Sequence, residues 1–238
     1  MMDQSVDDKY DGCREKMTKK IKLEDFPREM KNNLLFKNAW KKTQTLANQK
    51  YKLRKIPALT KDQIHALYVY TIETPKVYEP FNEAVRSSAA VYNTNAFNYH
   101  ALHFWLTTAL NTINPKRLCR TTYRRCKTKF TGVIGQPMRF GSFTSTSKKT
   151  NLIQFGIETC FQIKTCFGAP IQDYSALSSE EEVLVPPYEK FRIDHIARDS
   201  YGALNNCKNI FVLESVGYKS NLNCKAAEYK KGWKASSK

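Results

Sequence analysis

Apolar residues recur at helical spacing through the first half of the chain and fall into short alternating runs through the second. From about Pro27 to Leu53, Met30, Leu34, Leu35, Ala39, Trp40 and Leu46 lie at intervals that gather them on one side of a helix. Thr60, followed three residues later by Gln63, makes a capping-box pattern ahead of Ile64, Leu67 and Tyr68. A further helix is expected near Tyr78 to Ser88. The strongest stripe is Leu102, Trp105, Leu106, Ala109, Leu110 and Ile113, within Phe97 to Ile113; it stops at Asn114-Pro115 and is expected to be core. Residues 1 to 25 read as polar and irregular.

Beyond Pro115 the runs are rich in Thr, Tyr, Phe, Ile and Val, broken at Gly132, Gly135-Gln-Pro137, Gly168-Ala-Pro170 and Pro186-Pro187. Strands are expected at Cys119–Cys126, Met138–Thr146, Ile157–Ile163, Glu181–Val185, Glu189–Ile196 and Asn209–Ser215. Helices first and strands second imply an α+β fold, with a helical part (1–115) packed on a mostly antiparallel sheet (116–224) and a basic tail (225–238). The 238 residues fit one large domain. No window of 18 apolar residues suggests a membrane span, and no signal-peptide h-region precedes the chain as given.

Lysine and arginine (39) outnumber aspartate and glutamate (22), a net charge of +17 that favours anionic partners. The charge is uneven. Between Ala84 and Ile157 there are eleven basic residues and no acidic one, whereas seven acidic residues lie between Asp173 and Asp199, three of them as Glu180-Glu181-Glu182. Seven cysteines without a C-x2-C spacing point to disulfides and an oxidising compartment rather than to zinc, with pairing open and at least one thiol left over.

Within this pattern several groups could carry chemistry. Glu180 and Glu182, two residues apart, would project from one face of an extended backbone and could divide the work at a glycosidic carbon; on spacing alone a solvated acidic turn is the commoner outcome. Arg124 and Arg125 must face opposite sides of a strand, so one of them can clamp phosphate in a cleft with Arg120 or Tyr123 nearby. Phe143-Thr-Ser-Thr-Ser147 would place Ser145 and Ser147 on one face with Phe143. The four histidines, His65, His100, His103 and His195, lack a metal-ligand pattern, so no metal is expected. No base-reading module accompanies the basic surplus, so no specific nucleic acid is expected either.

Tyr123-Arg124, the run R-F-G-S-F-T-S-T-S from Arg139 to Ser147, T-C-F-G-A-P-I-Q-D-Y-S from Thr165 to Ser175, and E-E-E-V-L-V-P-P from Glu180 to Pro187 together resemble the vertebrate ecto-type arginine-specific mono-ADP-ribosyltransferases, a family with an R-S-E-x-E signature. The similarity runs from D-D-K-Y-D-G-C (Asp7 to Cys13) through V-Y-E-P-F-N-E-A-V-R (Val77 to Arg86) to Cys224. It implies an ADP-ribosyltransferase-like sandwich forming one catalytic domain over 1–238, with the family's arginine at Arg124, its serine at Ser145 and its glutamates at Glu182 and Glu180. Phe155 offers a ring for nicotinamide stacking, and Tyr78 and Asn82 are further candidates for the nucleotide side. Arg125 stands where the family often has glycine, adding bulk and charge beside the site.

The implied reaction transfers ADP-ribose from NAD, a co-substrate rather than a resident cofactor, to arginine side chains of an acceptor protein, with NAD hydrolysis as a side reaction. Arg124 would hold the pyrophosphate, helped by Arg125 or Arg86; Glu182, steadied by Ser145, would stabilise the ribosyl cation; Glu180 would engage the acceptor guanidinium. The rival is a catalytically weak, basic extracellular module that binds anionic partners. The resemblance also implies disulfides Cys13–Cys224 and Cys119–Cys166, worth about 5 and about 4 kcal/mol on the chain-entropy model. Were the strands carrying Cys126 and Cys160 neighbours, those two could pair and leave Cys207 free. The expected location is extracellular, secreted or glycolipid-anchored.

Overall fold

The structure, a computed structural model, describes residues 2–228, so residues 229–238 of the expected basic tail lie outside the described residues. Six α-helices come first: α1 (Arg14–Lys20), α2 (Phe26–Asn32), α3 (Leu34–Lys52), α4 (Lys61–Thr71), α5 (Tyr78–Ser87) and α6 (His100–Ile113). The Thr60/Gln63 capping box opens α4, each side chain accepting from the other's backbone N–H. In place of one helix from Pro27 to Leu53 there are two, because Asn33 adopts an extended conformation (φ −114°, ψ 92°) and its side chain accepts from Phe36 N to cap α3.

Residues 1–25 are not irregular. Ser5 to Tyr10 are buried, and α1, which buries Met17, continues through a π-helical turn, Ile21–Asp25, that buries Ile21 and Asp25. Polarity concealed this, since Asp7 and Asp8 are buried with polar partners that a pattern of apolar positions cannot register: Asp7 pairs with Arg139 at 2.8 Å, and Asp8 accepts from Tyr92 Oη at 2.8 Å.

Among the described residues eight strands form one sheet in the order β2-β7-β8-β4-β1-β3-β6-β5. They are β1 (Arg120–Cys126), β2 (Pro137–Met138), β3 (Thr144–Ser147), β4 (Thr159–Thr165), β5 (Ala169–Pro170), β6 (Glu182–Val185), β7 (Glu189–Tyr201) and β8 (Leu204–Tyr218). All pairings are antiparallel except β4 with β8. The expected strand Met138–Thr146 is divided between β2, which pairs with β7, and β3, which lies between β1 and β6. Arg139 sits in the gap, drawn inward by Asp7. The last two strands run longer than their apolar runs because they form a hairpin across Gly202, where Leu204 and Cys207 pack with Cys160 and Ile210 in a small cluster of their own.

Two cores meet along β6. Leu184 packs into the helical core with Phe143, Phe104 and Leu106, while Val185, on the opposite face, packs with Phe161, Ile163, Phe191, Phe211 and Leu213. The start of β6 therefore lies at the seam between the helices and the sheet.

Cys13–Cys224 and Cys119–Cys166 are bridged as the resemblance implied, and a third disulfide joins Cys160 to Cys207. The suggested Cys126–Cys160 pair does not form. Although β1 and β4 are neighbours, their register sets Cys126 opposite Thr159 and Arg125 opposite Cys160, so the two thiols point to opposite faces. Cys126 is the free cysteine, buried in the sheet core.

Candidate active site

A cavity of about 350 Å³ opens where β1, β3 and β6 converge. Its lining includes Arg124, Ser145, Glu180, Glu182 and Phe155, the residues singled out from sequence, together with Ser147, Lys149, Lys127, Phe130 and Leu152. The register explains the convergence. Ser147 lies directly across from Glu182 and Ser145 from Leu184, so Ser145, Ser147 and Glu182 share one face. Arg124 reaches over from β1 and donates from Nη1 to the Ser145 carbonyl oxygen at 2.7 Å, fixing the guanidinium at the cavity wall.

Glu182 is 4% exposed. Burial pushes its carboxyl up to about 7; the Glu180 charge acts in the same direction, while the Ser145 and Ser175 hydroxyls and Arg124 oppose it. Ser175 Oγ stands 3.5 Å from Glu182 Oε2. Glu180, nearer the mouth, is also raised by burial and then by Glu73.

The two glutamates do not share a strand face as expected. Glu180 closes a 3₁₀ turn, Ser178–Glu180, Glu181 is left-handed (φ 49°), and β6 begins only at Glu182. The change of direction at Glu181 lets both carboxylates line one cavity from different depths. The turn is tied to the end of β3: Ser147 Oγ donates to the Glu180 carbonyl at 2.5 Å, Lys148 N to that of Glu181, and Lys149 Nζ to that of Ser179 at 2.7 Å.

Phe155 ends a 3₁₀ turn, Ile153–Phe155, at the cavity edge. Gly156 makes this possible: its φ is 126°, and a Cβ there would lie 2.5 Å from the Cys126 carbonyl carbon and the Lys127 nitrogen. Arg125 borders the cavity, but its guanidinium is committed elsewhere. Nε donates to the Thr150 carbonyl at 2.8 Å, Nη2 to that of Asn205 at 2.9 Å, and Nη1 lies against the Cys160–Cys207 sulfurs. The bulk and charge expected beside the site thus brace the loop that carries Phe155 instead. Arg86 is bound to Ser142 and Glu83 and Arg120 to Gly168, and neither lines the cavity.

Tyr78 and Asn82 also lie outside the lining. Asn82 donates to Tyr70 Oη at 3.0 Å, and Tyr70 donates to the Phe143 carbonyl at 3.1 Å, immediately before β3. Burial raises the Tyr70 hydroxyl to about 12 in the field of Glu182 and Arg124, so it stays neutral behind the site. Sequence reasoning missed Tyr70, Ser147, Lys149 and Ser175 as supports. Ser175 ends one of the runs that carry the resemblance, a usable signal; Tyr70, on an apolar helix, offers none. The histidines of α4 and α6 serve the helical core, where His65 stacks on Trp40, His100 binds the Tyr92 carbonyl and His103 contacts Tyr10 Oη at 2.7 Å.

Comparison with known proteins agrees with this geometry. The family model described as NAD:arginine ADP-ribosyltransferase matches residues 1–209. The erythroblast NAD(P)(+)–arginine ADP-ribosyltransferase of Gallus gallus is 31% identical over 238 residues, covering 97% of this chain and 76% of the relative. Ecto-ADP-ribosyltransferase 5 of Mus musculus is 34% identical over 209 residues, covering 82% and 66%. The crystal structure of the eucaryotic mono-ADP-ribosyltransferase ART2.2 superposes with a TM-score of 0.78 at 30% identity, covering 94% of this chain and 96% of that one. Variants of that enzyme solved with NADH and with NAD match equally, at a TM-score of 0.78. With the arginine, serine and paired glutamates gathered in one cleft of the matching fold, the chain belongs to the NAD:arginine ADP-ribosyltransferase family.

Proposed function

We propose that this chain, acting as a single catalytic unit, transfers ADP-ribose from NAD to arginine side chains of proteins and releases nicotinamide. The observation that carries this reading is Glu182, a carboxylate held deep in a cleft with Arg124 and Ser145, with a second carboxylate, Glu180, on the path to solvent. NAD fits as a co-substrate: Arg124 supplies a cation for the pyrophosphate and Phe155 a ring for the nicotinamide.

Cleavage of the bond between ribose C1′ and the nicotinamide nitrogen sends the electron pair to the ring, discharging it, and leaves positive charge on the ribose. Ionised Glu182 stabilises that charge at close range in a water-poor site. An acceptor guanidinium, cationic at working pH because its pKa exceeds about 12, is drawn to Glu180, which takes its proton as the nitrogen bonds C1′. Water in its place gives free ADP-ribose. A binding module would gain nothing from keeping Glu182 buried, since burial of its charged form opposes folding.

Relatives named as ecto-enzymes and as GPI-linked, together with three disulfides, favour an extracellular location, and we place the protein there, secreted or glycolipid-anchored. Among the described residues no helix is long and apolar enough to cross a membrane. The basic surplus we assign to proteins and NAD, not to a specific nucleic acid. The test is incubation with labelled NAD and a small guanidino compound such as agmatine. Adduct together with some free ADP-ribose is expected; release of neither above the uncatalysed background overturns the reading.

A further inference from the structure

The rim of the cleft is cationic where the catalytic mouth is anionic. Glu180 lines the cavity, and apart from it and Glu182 the lining comes from the acid-free stretch between Ala84 and Ile157. Lys148 follows directly on Ser147, whose hydroxyl holds the Glu180 carbonyl, and its backbone holds that of Glu181. On the other wall Lys127 lines the cavity, and Lys129 precedes Phe130, which also lines it.

Lys127, Lys129 and Lys148 are exposed and make no ion pair among the described residues, whereas Lys149 next door is spent on Ser179 and Glu181. Between the free lysines, Phe130 and Phe155 are 39% and 45% exposed at the cavity edge. Large apolar side chains left in water beside a cleft mark a contact surface, and unpaired charges around them select its partner.

We infer that this rim selects acceptor proteins in which the target arginine is flanked by aspartate or glutamate and an apolar side chain. The inference rests on the arginine-transfer reading above and adds the class of acceptor. An acceptor segment approaching Glu180 must present one positive charge to it while crossing a ring of lysines that repels every other positive charge. A segment rich in lysine or arginine meets that repulsion with each additional residue. A segment with acidic neighbours meets attraction at the rim and keeps its single cation for Glu180. With Phe155 taken by the nicotinamide, the exposed ring of Phe130 gives an apolar neighbour somewhere to rest. The field acts over about 8 Å at physiological ionic strength, the reach of residues immediately flanking the arginine.

The test uses two peptides that differ only in acidic or lysine residues flanking one arginine, with ethylguanidine, whose one charge is its guanidinium, as an acceptor without flanks. Binding is read by fluorescence anisotropy and transfer by labelled NAD. Acidic flanks are expected to give at least about tenfold higher kcat/KM, mainly through KM, with the gap shrinking as salt screens it. In Lys129→Glu/Lys148→Glu, a variant of two exposed side chains outside the cavity lining, the preference should collapse or invert while ethylguanidine transfer and NAD hydrolysis persist. Equal use of the two peptides overturns the inference, as does an equal loss of all three acceptors in the variant. Binding preference is measured without turnover, so an inactive enzyme would overturn the function proposed above and leave the anisotropy result to decide the acceptor class.

Discussion

Buried carboxylates occur in the helical half and at the cleft, and the two regions treat them differently. In the helical half Asp25 accepts from Lys20 at 2.6 Å and Arg28 at 2.7 Å, and Glu29 caps the start of α6 by accepting from the backbone N–H of His100 and Ala101. Asp7 accepts from Arg139 and from Leu222 N. Glu182 has the hydroxyls of Ser145 and Ser175, the latter at 3.5 Å, and the charge of Arg124 nearby, but no ion pair and no backbone donor bonded to it among the described residues. Donors around a buried carboxylate offset part of what burial costs its charged form and tie it into the fold, although burial still raises Glu29 and Glu189; one left short of donors remains available to a charge that arrives with substrate. Glu189 makes the point within the sheet itself, since Thr165, Cys166 and Ser215 all donate to it and it lies outside the cavity lining.

Substitution should separate the two kinds. Asp7→Ala strands the buried Arg139 guanidinium and is expected to lower stability by about 3–5 kcal/mol, read from denaturant midpoints, while the molecules that remain folded keep their specific activity. If instead the variant is as stable as the parent and inactive, Asp7 belongs with Glu182 and the comparison fails.

Glu182→Gln should do the reverse. Both transfer and hydrolysis are expected to fall by about 100-fold or more, a loss of about 2.7 kcal/mol of transition-state stabilisation, without loss of fold. The folded protein holds the Glu182 proton up to about 7 against 4.5 for an unperturbed glutamate. Stability from the neutral acid is therefore full below about 4.5 and is lost as pH rises to about 7. The glutamine variant lacks this loss, so at about pH 8 it should melt no lower than the parent; a clear fall in Tm would move Glu182 to the structural class.

Glu180→Gln sharpens the comparison inside the cleft. Transfer to arginine should drop by about tenfold or more while NAD hydrolysis stays within about threefold, because water needs no carboxylate to draw it in or deprotonate it beside so reactive a carbon. Equal loss in both reactions would mean that Glu180 acts on NAD.

The smallest effect is a matter of pH. Since the ionised form of Glu182 is the useful one, kcat/KM for NAD hydrolysis should rise with pH through about 7 and then level off. A profile flat from about pH 5.5 to 8 would show that the carboxyl ionises in the ordinary range.

Local chemistry in the sequence determined a good part of this molecule: the stripe that becomes α6, the capping box of α4, the β-rich second half, and the motif residues Arg124, Ser145, Glu180 and Glu182, all legible because periodicity, caps and motif spacing are properties of neighbouring residues. What only the tertiary structure decided depends on partners far apart in the chain. Asp7 and Asp8 read as solvent-facing until Arg139 and Tyr92 come to meet them. The β1–β4 register, not the spacing of cysteines, sent Cys160 to Cys207 and left Cys126 free. Arg125 looked like an intruder at the site until the same register turned it onto that disulfide. The bend at Glu181, held from β3 by Ser147 and Lys149, placed two glutamates at different depths of one cleft, an arrangement that i and i+2 spacing in an extended strand cannot produce.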